Sequence, residues 1–412
     1  MSHETSTRRS FVEAAGAAGV AASSGLAGCT AFGGAGGAAD TITVAATVPE
    51  TGRLSSVGTD LLHGYRLGAQ RMQGSDAIEQ DVELVVEDDE SDPKEVRSQL
   101  QQIISNNDVD VVWGSFSSPL VMAGSAVAEQ RGLPFLAVAT CYMEPLRSGS
   151  KEWTYTPFPK TRDVVRATRQ ILQLVPEGER PSRVGIWEPN SGWGSEMATA
   201  WEESLTEAGY EVVQRSKFAS GTKDFSTLIS RAASANVEIL LSNPQPPDGI
   251  TAMTQLSNRD YMPSLVEFVR AADPESWWSA LGETGNYVTM SPGWVHGVTG
   301  NGNEAMLEAW RSEYGDDSDN EVPRVMVGAG YNLTQTVEQA LSAAESVESG
   351  AIRDALDSAT FHTVVGVFGF DEHGMPKPGQ LDAPSGQWKD GRQELIYPRT
   401  ENASELRYPI EE

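Results

Sequence analysis

The sequence predicts an α/β fold built on parallel sheets, and residues 83–141 hold the observations behind this prediction. Short apolar runs at Leu84–Val86, Val109–Trp113 and Phe135–Val138 are separated by two segments of helical period. This alternation is typical of right-handed crossovers between parallel strands. None of the three runs alternates strictly between apolar and polar residues, which indicates strands that are covered on both faces.

Two helices in this region are predicted to start where a strand ends. Asp92-Pro93 and Ser118-Pro119 each place a capping residue type before a proline, which suits the first helical turn because its missing N–H is not needed there. A helix N-terminus at the carboxyl end of a strand also suits an anion such as a carboxylate. Ser118 is therefore a candidate ligand-binding residue, although a role as a helix cap alone explains the same pattern.

The alternation continues on both sides of this region. A strand at Thr41–Thr47 and a helix at about Asp60–Met72 come before it, and a second α/β series follows the proline-rich segment Trp153–Pro159. Asn190–Ser195 and Asn243–Asp248 are predicted to be loops at strand ends of that series. The remaining helices are predicted at 164–174, 196–208, 225–235, 249–258, 304–314, 328–346 and 352–357, and the strands at 183–187, 211–217, 238–242, 264–266, 288–290, 361–367 and 387–388.

The chain is strongly acidic. Its 412 residues include 58 Asp and Glu against 30 Lys and Arg, only 7 of which are Lys, and the formal net charge is −28. The length allows two domains with separate cores. A dispersed negative surface tolerates concentrated salt, so we predict a halophilic, haloarchaeal-like protein. The same charge disfavours binding of nucleic acid through a basic patch.

Residues 1–40 are predicted to direct export. Thr7–Phe11 contains a twin arginine, and the weakly apolar run Val12–Gly25 is too short for a membrane span. This order indicates a Tat-type signal. Leu26–Cys29 resembles a lipobox, so residues 1–29 are predicted to be a lipoprotein signal peptide with lipid attachment at Cys29, and residues 30–40 a flexible tether. The alternative is an ordinary signal with a chance cysteine.

Motifs for catalysis, metals or cofactors were not found in the sequence. The five histidines are scattered, and the two cysteines, Cys29 and Cys141, form no CxxC or Cys/His pattern. Gly328-Ala329-Gly330 is only half of a dinucleotide fingerprint, and Gly315–Glu321 lacks the glycine of a calcium loop. We therefore predict no enzyme, no metal and no cofactor. A surface hydrolase using His296 is the weaker alternative.

Several motifs in order resemble one family. They are Glu87–Pro93 and Gly114–Ser118 after strands, Gly132-Leu133-Pro134 before a strand, Lys223–Ser226, and the C-terminal set Phe361–Gly366, Phe370–Gly374 and Gln387-Trp388. Over residues 41–397 the chain resembles the leucine/isoleucine/valine-type (branched-chain amino acid) substrate-binding proteins of ABC transporters.

The resemblance implies a two-lobed, type I periplasmic-binding-protein fold, in which each lobe is a parallel sheet with helices on both faces and three crossovers form the hinge. We expect the crossovers near Thr156, Met290–Ser291 and Gly366–Phe368. The N-terminal lobe would comprise residues 41–155 and 291–366, the C-terminal lobe residues 156–290 and 367–397, and residues 398–412 an acidic tail.

The resemblance also implies site residues in the first lobe. A ligand carboxylate would meet Ser117, Ser118 and nearby backbone N–H groups. A ligand ammonium would meet the Ala139 carbonyl and the Thr140 side chain. An ambiguity of one residue leaves Cys141 as an alternative to Thr140, and a thiol is a poor partner for an ammonium group.

In the second lobe the resemblance places Trp193 where the family often has a tyrosine. Gln245 or Pro246 replaces another aromatic wall residue, and Glu267 matches an acidic residue that contacts the ammonium group. The alternatives are a core position for Trp193 and a solvated strand-end carboxylate for Glu267. The NPQPPD sequence at 243–248 departs from the family pattern, which leaves the ligand's side chain undetermined.

Together these features predict an exported, lipid-anchored, monomeric binding protein at the outer face of the cell membrane. It would deliver a branched-chain or similar amino acid to the membrane permease of an ABC importer. A ligand-sensing protein that works with a signalling partner, and a binder of amides or urea-like solutes, remain as alternatives because a fold does not determine its ligand.

Overall fold

A computed structural model describes residues 41–149, 151–315 and 322–410. The predicted signal peptide, the tether with Cys29, and most of the acidic run at 315–321 lie outside the described residues. The protein forms two lobes, each built on a sheet flanked by helices, as the resemblance implied.

The first lobe is built on a five-stranded sheet in which every pair is parallel. The strand order is β2-β1-β3-β4-β5. Helix α1 packs with α11 and α2 packs with α3, so helices from two distant parts of the chain cover this sheet. The elements are β1 (Thr41–Val48), α1 (Ser55–Gln73), β2 (Asp81–Asp88), α2 (Pro93–Asn106), β3 (Val111–Trp113), α3 (Ser118–Arg131), β4 (Phe135–Leu136), α4 (Glu144–Arg147), β5 (Thr154–Tyr155), α10 (Asn303–Tyr314) and α11 (Val325–Ala343).

The second lobe is built on a seven-stranded sheet of order β14-β13-β10-β9-β8-β6-β7. Its central strands are parallel, as predicted, but β13 runs antiparallel to β10 and to β14. The predicted parallel sheet therefore carries an antiparallel extension at this edge. The elements are α5 (Thr161–Leu174), β6 (Arg183–Pro189), α6 (Gly192–Glu207), β7 (Glu211–Phe218), α7 (Ser226–Ser234), β8 (Ile239–Ser242), α8 (Pro246–Ser257), β9 (Leu265–Phe268), α9 (Ser276–Leu281), β10 (Thr289–Met290), β13 (Ser385–Lys389) and β14 (Arg392–Tyr397).

A hairpin turn explains the antiparallel edge. Asp390 and Gly391 join β13 to β14 and both have positive φ angles, 47° and 84°. Two-residue turns of this kind match the twist of antiparallel strands, and Asp-Gly is a favoured sequence for them. The strand β14 was not predicted.

The run predicted as one strand at 361–367 is also divided. The strands β11 (Phe361–Thr363) and β12 (Gly366–Phe368) form a separate antiparallel pair after α12 (Ser349–Ser358). Gly366 has a φ of 134°, which an L side chain rarely adopts, and it begins β12.

Three segments connect the lobes. The first follows β5, the second follows β10, and the third lies between β12 and β13. The Thr156 N–H donates to the Gly374 carbonyl at 2.7 Å, which joins the first segment to the third. The Asn332 side chain of α11 donates to the Pro157 carbonyl at 2.5 Å. The exact residue bounds of the two lobes remain a prediction.

Residues 398–410 lie against the second lobe. The Arg407 N–H donates to the Gln387 side-chain oxygen at 2.8 Å, and the Ile410 N–H donates to the Ser264 carbonyl at 3.0 Å. This segment therefore follows the outer part of the second sheet.

Candidate functional site

The strand ends of the two lobes enclose a cavity of about 300 Å³. The strand order reverses between β1 and β3 in the first sheet, and between β6 and β8 in the second. Open α/β sheets bind ligands outside such switch points, because neighbouring strands send their connections to opposite faces there. The cavity is lined by the loops after these strands, with Arg53, Ser117, Ser118, Met122, Tyr142, Asn190, Trp193, Asn243, Gln245 and Asp248 among the lining residues.

Ser117 and Ser118 form the first-lobe side of the cavity. Ser117 is the N-cap residue of α3, its hydroxyl caps no backbone N–H, and Ser118 is the first residue of the helix. The Ser117 carbonyl accepts hydrogen bonds from the N–H groups of Leu120 and Val121, both at 2.9 Å, which fixes the first turn. Two serines at the positive end of a 14-residue helix suit a ligand carboxylate.

A buried polar network fixes the loops behind these serines. The Ser115 hydroxyl donates to the Asp89 carboxylate at 2.5 Å, and the Ser91 N–H donates to the same carboxylate at 3.0 Å. Burial raises the pKa of Asp89 to about 6, although both hydrogen bonds oppose the increase. The Ser91 hydroxyl in turn donates to the Thr51 carbonyl at 2.8 Å. The loops after β1, β2 and β3 are therefore held together, and Arg53 follows Thr51 at the edge of the cavity.

Trp193, Asn243 and Gln245 form much of the second-lobe side of the cavity. Trp193 lies in the first turn of α6, which Ser191 caps by accepting a hydrogen bond from the Gly194 N–H at 3.0 Å. Asn243 follows the last residue of β8, and Gln245 is the N-cap of α8. Trp193 is 8% exposed and Asn243 only 3% exposed.

Asp248 is the carboxylate among the residues that line this cavity. It lies in the first turn of α8 and is buried. Its side chain accepts a hydrogen bond from the Gly221 N–H at 2.8 Å, and the Ser220 hydroxyl lies 3.4 Å away. These contacts fix a negative charge in the second-lobe wall.

The lobes also contact each other beside the cavity. The Glu196 carboxylate of α6 accepts hydrogen bonds from the first-lobe N–H groups of Met143 and Glu144, each at 3.1 Å. Within the second lobe it also accepts one from the Thr161 hydroxyl of α5 at 2.5 Å. Gly192 lies against the Tyr142 ring so closely that a Cβ there would overlap it. The described arrangement is therefore one in which the lobes touch.

Ala139, Thr140 and Cys141 are buried and do not line the cavity. The Thr140 hydroxyl lies 3.0 Å from the Ser118 hydroxyl, so Thr140 is one contact away from the cavity. The Thr140 carbonyl accepts a hydrogen bond from the fully buried Lys160 ammonium at 2.8 Å. Burial lowers the pKa of Lys160 to about 7.

Cys141 faces away from the cavity, toward Arg270. The Arg270 guanidinium donates to the Cys141 sulfur at 3.8 Å and to the Ser291 carbonyl at 3.2 Å, and it pairs with Asp273 at 2.5 Å. Burial raises the pKa of the Cys141 thiol. Two buried basic side chains, Lys160 and Arg270, thus contact the loop that the resemblance assigned to a ligand ammonium.

Glu267 lies in the core of the second lobe, apart from the cavity. The strand β9 continues to Phe268, so Glu267 is not at the strand end, and its side chain is fully buried. Its carboxylate accepts a hydrogen bond from the Ser291 hydroxyl at 2.6 Å. Burial raises the pKa of Glu267 to about 7. The geometry gives no support to Glu267 as an ammonium partner, and it has no part in the proposals below.

Several residues that line the cavity were not predicted, among them Asn190, Asn243, Asp248 and Arg53. Asn243 and Asp248 belong to the loop that departs from the family pattern, and Asn190 lies at the end of β6. Their positions directly after strands at the second switch point were the available signal. Arg53 carried no comparable signal, because its place depends on the contacts between three loops.

His296 lies elsewhere. It is half-buried and lines a separate cavity of about 400 Å³ beside Glu304 and Arg392. Burial lowers the pKa of His296. Among the described residues, no group of three or more His, Cys, Asp or Glu side chains is arranged to hold a metal ion. No helix within the described ranges is long and apolar enough to span a membrane.

Comparisons with known proteins agree with this architecture. The Leu/Ile/Val-binding protein homolog 7 of Brucella abortus (strain 2308) is 24% identical over 397 residues, which are 91% of this chain and 96% of that protein. The structure of a leucine-binding protein, LivK, from Thermotoga maritima superposes with a TM-score of 0.75 at 18% identity, and covers 86% of this chain and 97% of its own.

A third protein of the same fold holds a different ligand. The solute-binding protein of an R. palustris ABC transporter, solved in complex with benzoate, has a TM-score of 0.73 at 17% identity, and covers 86% of this chain and 95% of its own. At these identities the structural likeness shows the fold alone.

The family model described as periplasmic binding protein matches residues 41–391, which include both sheets. This family consists of solute-binding proteins, which confirms the prediction that the chain is not an enzyme. The match extends over most of the chain and includes the loops that line the cavity. The chain therefore belongs to the periplasmic binding protein family.

Proposed function

We propose that this chain is the solute-binding component of an ABC importer and that it holds an amino acid or a related small solute in the cavity between its lobes. The ligand's carboxylate binds at Ser117 and Ser118, and the rest of the ligand lies against Trp193, Asn243 and Gln245. The closed protein then passes its cargo to a membrane permease.

One observation carries this proposal: a cavity between the lobes faces the switch points of both sheets. Its first-lobe wall offers a helix N-terminus and a Ser117 hydroxyl that caps no N–H. Its second-lobe wall offers an indole and two side-chain amides. A volume of about 300 Å³ suits a ligand of amino-acid size.

We extend the proposal to the location of the protein. The twin arginine and the lipobox-like sequence that ends at Cys29 support export by the Tat route and a lipid anchor at the outer face of the cell membrane. The acidic composition supports function at high salt. A monomer suits a protein that moves between solute and permease.

Calorimetric titration with a panel of branched, polar and aromatic amino acids, short amides and urea tests the binding role. We expect one ligand to bind at one site, and Ser118→Ala to weaken it at least about tenfold, because hydrogen bonds to a charged group are lost. Ser105→Ala, on the exposed side of α2, is the matched control. A folded protein that binds no member of the panel would contradict the proposal.

Transport is tested separately from binding. Cells that lack this chain should lose uptake of the identified ligand and regain it with the wild-type chain but not with Ser118→Ala. Unchanged uptake, in a strain whose response to the ligand is lost, would favour the sensing alternative.

A further inference from the structure

The second-lobe wall contains polar atoms without partners. The Asn243 side-chain nitrogen and oxygen make no hydrogen bond, although the residue is only 3% exposed. The indole nitrogen of Trp193 and the side-chain oxygen of Gln245 also have no partner. All three residues line the cavity.

Unpaired buried polar groups are rare in folded proteins, because removal from water without a replacement hydrogen bond is unfavourable. A structural role for Asn243 would require contacts within the protein, and it makes none through its amide. The neighbouring Ser242 shows the contrast, because its hydroxyl donates to the Trp187 carbonyl at 2.6 Å. The Asn243 amide therefore has its full hydrogen-bonding capacity available to a ligand in the cavity.

The unpaired atoms specify what such a ligand must present. The Asn243 nitrogen and the Trp193 nitrogen are donors, so they need an acceptor, while the Asn243 and Gln245 oxygens need a donor. The Asp248 carboxylate lies in the same wall and disfavours a second anionic group there. A neutral group with both a donor and an acceptor meets these conditions.

We propose that Asn243 is a specificity-determining residue that selects a ligand carrying a carboxamide or a similar neutral donor–acceptor group, and that discriminates against aliphatic side chains. This inference rests on the proposed function, because the ligand occupies the same cavity between the lobes. A branched aliphatic side chain would leave the Asn243 amide buried and unpaired, which is the arrangement that polar binding sites reject most strongly.

Two sources could supply the carboxamide: the side chain of an amino acid, or a free short amide. L-Asparagine and L-leucine have side chains of nearly equal shape, so the difference between their affinities measures the contribution of the polar carboxamide group. Propionamide is a free amide without ammonium or carboxylate. Calorimetric titration of the purified full chain with these three compounds separates the two sources.

We expect the wild-type chain to bind L-asparagine or propionamide at least about tenfold more tightly than L-leucine. Asn243→Ala should weaken the preferred amide about tenfold, while Asn258→Ala, at the exposed end of the neighbouring helix, should not change its affinity. Asn243→Leu should narrow or reverse the preference between asparagine and leucine. Thermal unfolding of each variant establishes that it is folded.

Three results would overturn the inference. If leucine binds to the wild-type chain as tightly as either amide, Asn243 does not select for a carboxamide, although the proposed function is still supported. This result requires only the wild-type chain. If folded Asn243→Ala binds its amide with wild-type affinity, Asn243 does not determine specificity. If none of these compounds binds and the wider panel also fails, the proposed function itself falls with it.

Discussion

The Glu196 carboxylate lies 3.1 Å from the backbone nitrogen of Met143, and this hydrogen bond joins α6 of the second lobe to the loop after β4 of the first. The two lobes thus hold each other through a charged acceptor and backbone donors. Such bonds are stronger than neutral ones and contribute about 1.5–3 kcal/mol each. Removal of the carboxylate should therefore favour separated lobes.

Glu196→Ala should lower ligand affinity about tenfold, because the closed arrangement loses the hydrogen bonds that join the lobes. It should also increase the radius of gyration of the liganded protein in solution scattering. Glu203→Ala on the exposed side of the same helix is the control. Equal affinity and equal radius in the two variants would show that Glu196 does not hold the lobes together.

Gly192→Ala should also oppose closure, since its Cβ would overlap the Tyr142 ring across the lobe boundary. We expect a loss of affinity of about tenfold or more with little change in the unfolding temperature, because separated lobes relieve the overlap. Gly178→Ala, whose Cβ would meet no atom within 4 Å, is the matched control. A second change, Tyr142→Ala, should restore closure measured by scattering; persistent separation would exclude this contact as the cause.

Glu267→Gln should stabilise the protein at pH 8 and have little effect at pH 4.5. Burial raises the pKa of Glu267 from 4.5, its value in the unfolded chain, to about 7 in the folded protein. The neutral side chain therefore stabilises the folded state fully below pH 4.5, and this stabilisation is lost as the pH rises through about 7 and the buried carboxylate becomes charged. The difference in the free energy of unfolding should reach about 2–3 kcal/mol at pH 8.

Denaturant unfolding of both proteins at the two pH values measures this effect, with the exposed Glu207→Gln as the control. Ligand affinity should not change, because Glu267 lies outside the cavity. A large loss of ligand affinity in Glu267→Gln would instead indicate that Glu267 contributes to ligand binding.

The unfolding temperature should rise as KCl increases from 0.1 to 3 M. A net charge of −28 repels itself, and the screening length falls from about 10 Å at 0.1 M salt to about 3 Å at 1 M. The response should shrink near pH 4.5, the sequence isoelectric point, where the net charge is small. An unfolding temperature that is flat or decreasing at neutral pH would contradict the halophilic interpretation.

Most of the order of helices and strands could be predicted from the sequence, because the spacing of apolar residues and the positions of prolines are local signals. Local signals also existed where the prediction failed. Pro246 and Pro247 lie in the first turn of α8, where proline is favoured, but the run was predicted to be a loop. Asp390-Gly391, the turn between β13 and β14, is a hairpin signature in the sequence.

The site was only partly accessible. Ser117, Ser118, Trp193 and Gln245 meet at the cavity because each lies close after a strand at a switch point, which sequence order indicates. Glu267 lies inside β9 and not at its end, because β9 extends two residues beyond the predicted strand at 264–266. The contact of Arg270 with Cys141 joins positions 129 residues apart, and no spacing rule predicts such a contact.

The hydrogen bond between Thr156 and Gly374 has a mechanical consequence. Two of the three connecting segments are tied into one ribbon, so they cannot slide independently. Two segments joined in this way bend together more readily than they slide past each other. The lobes are therefore expected to open by a hinge rotation along one path. A partner that contacts both lobes then needs to distinguish only a single angle to sense whether the cleft is filled.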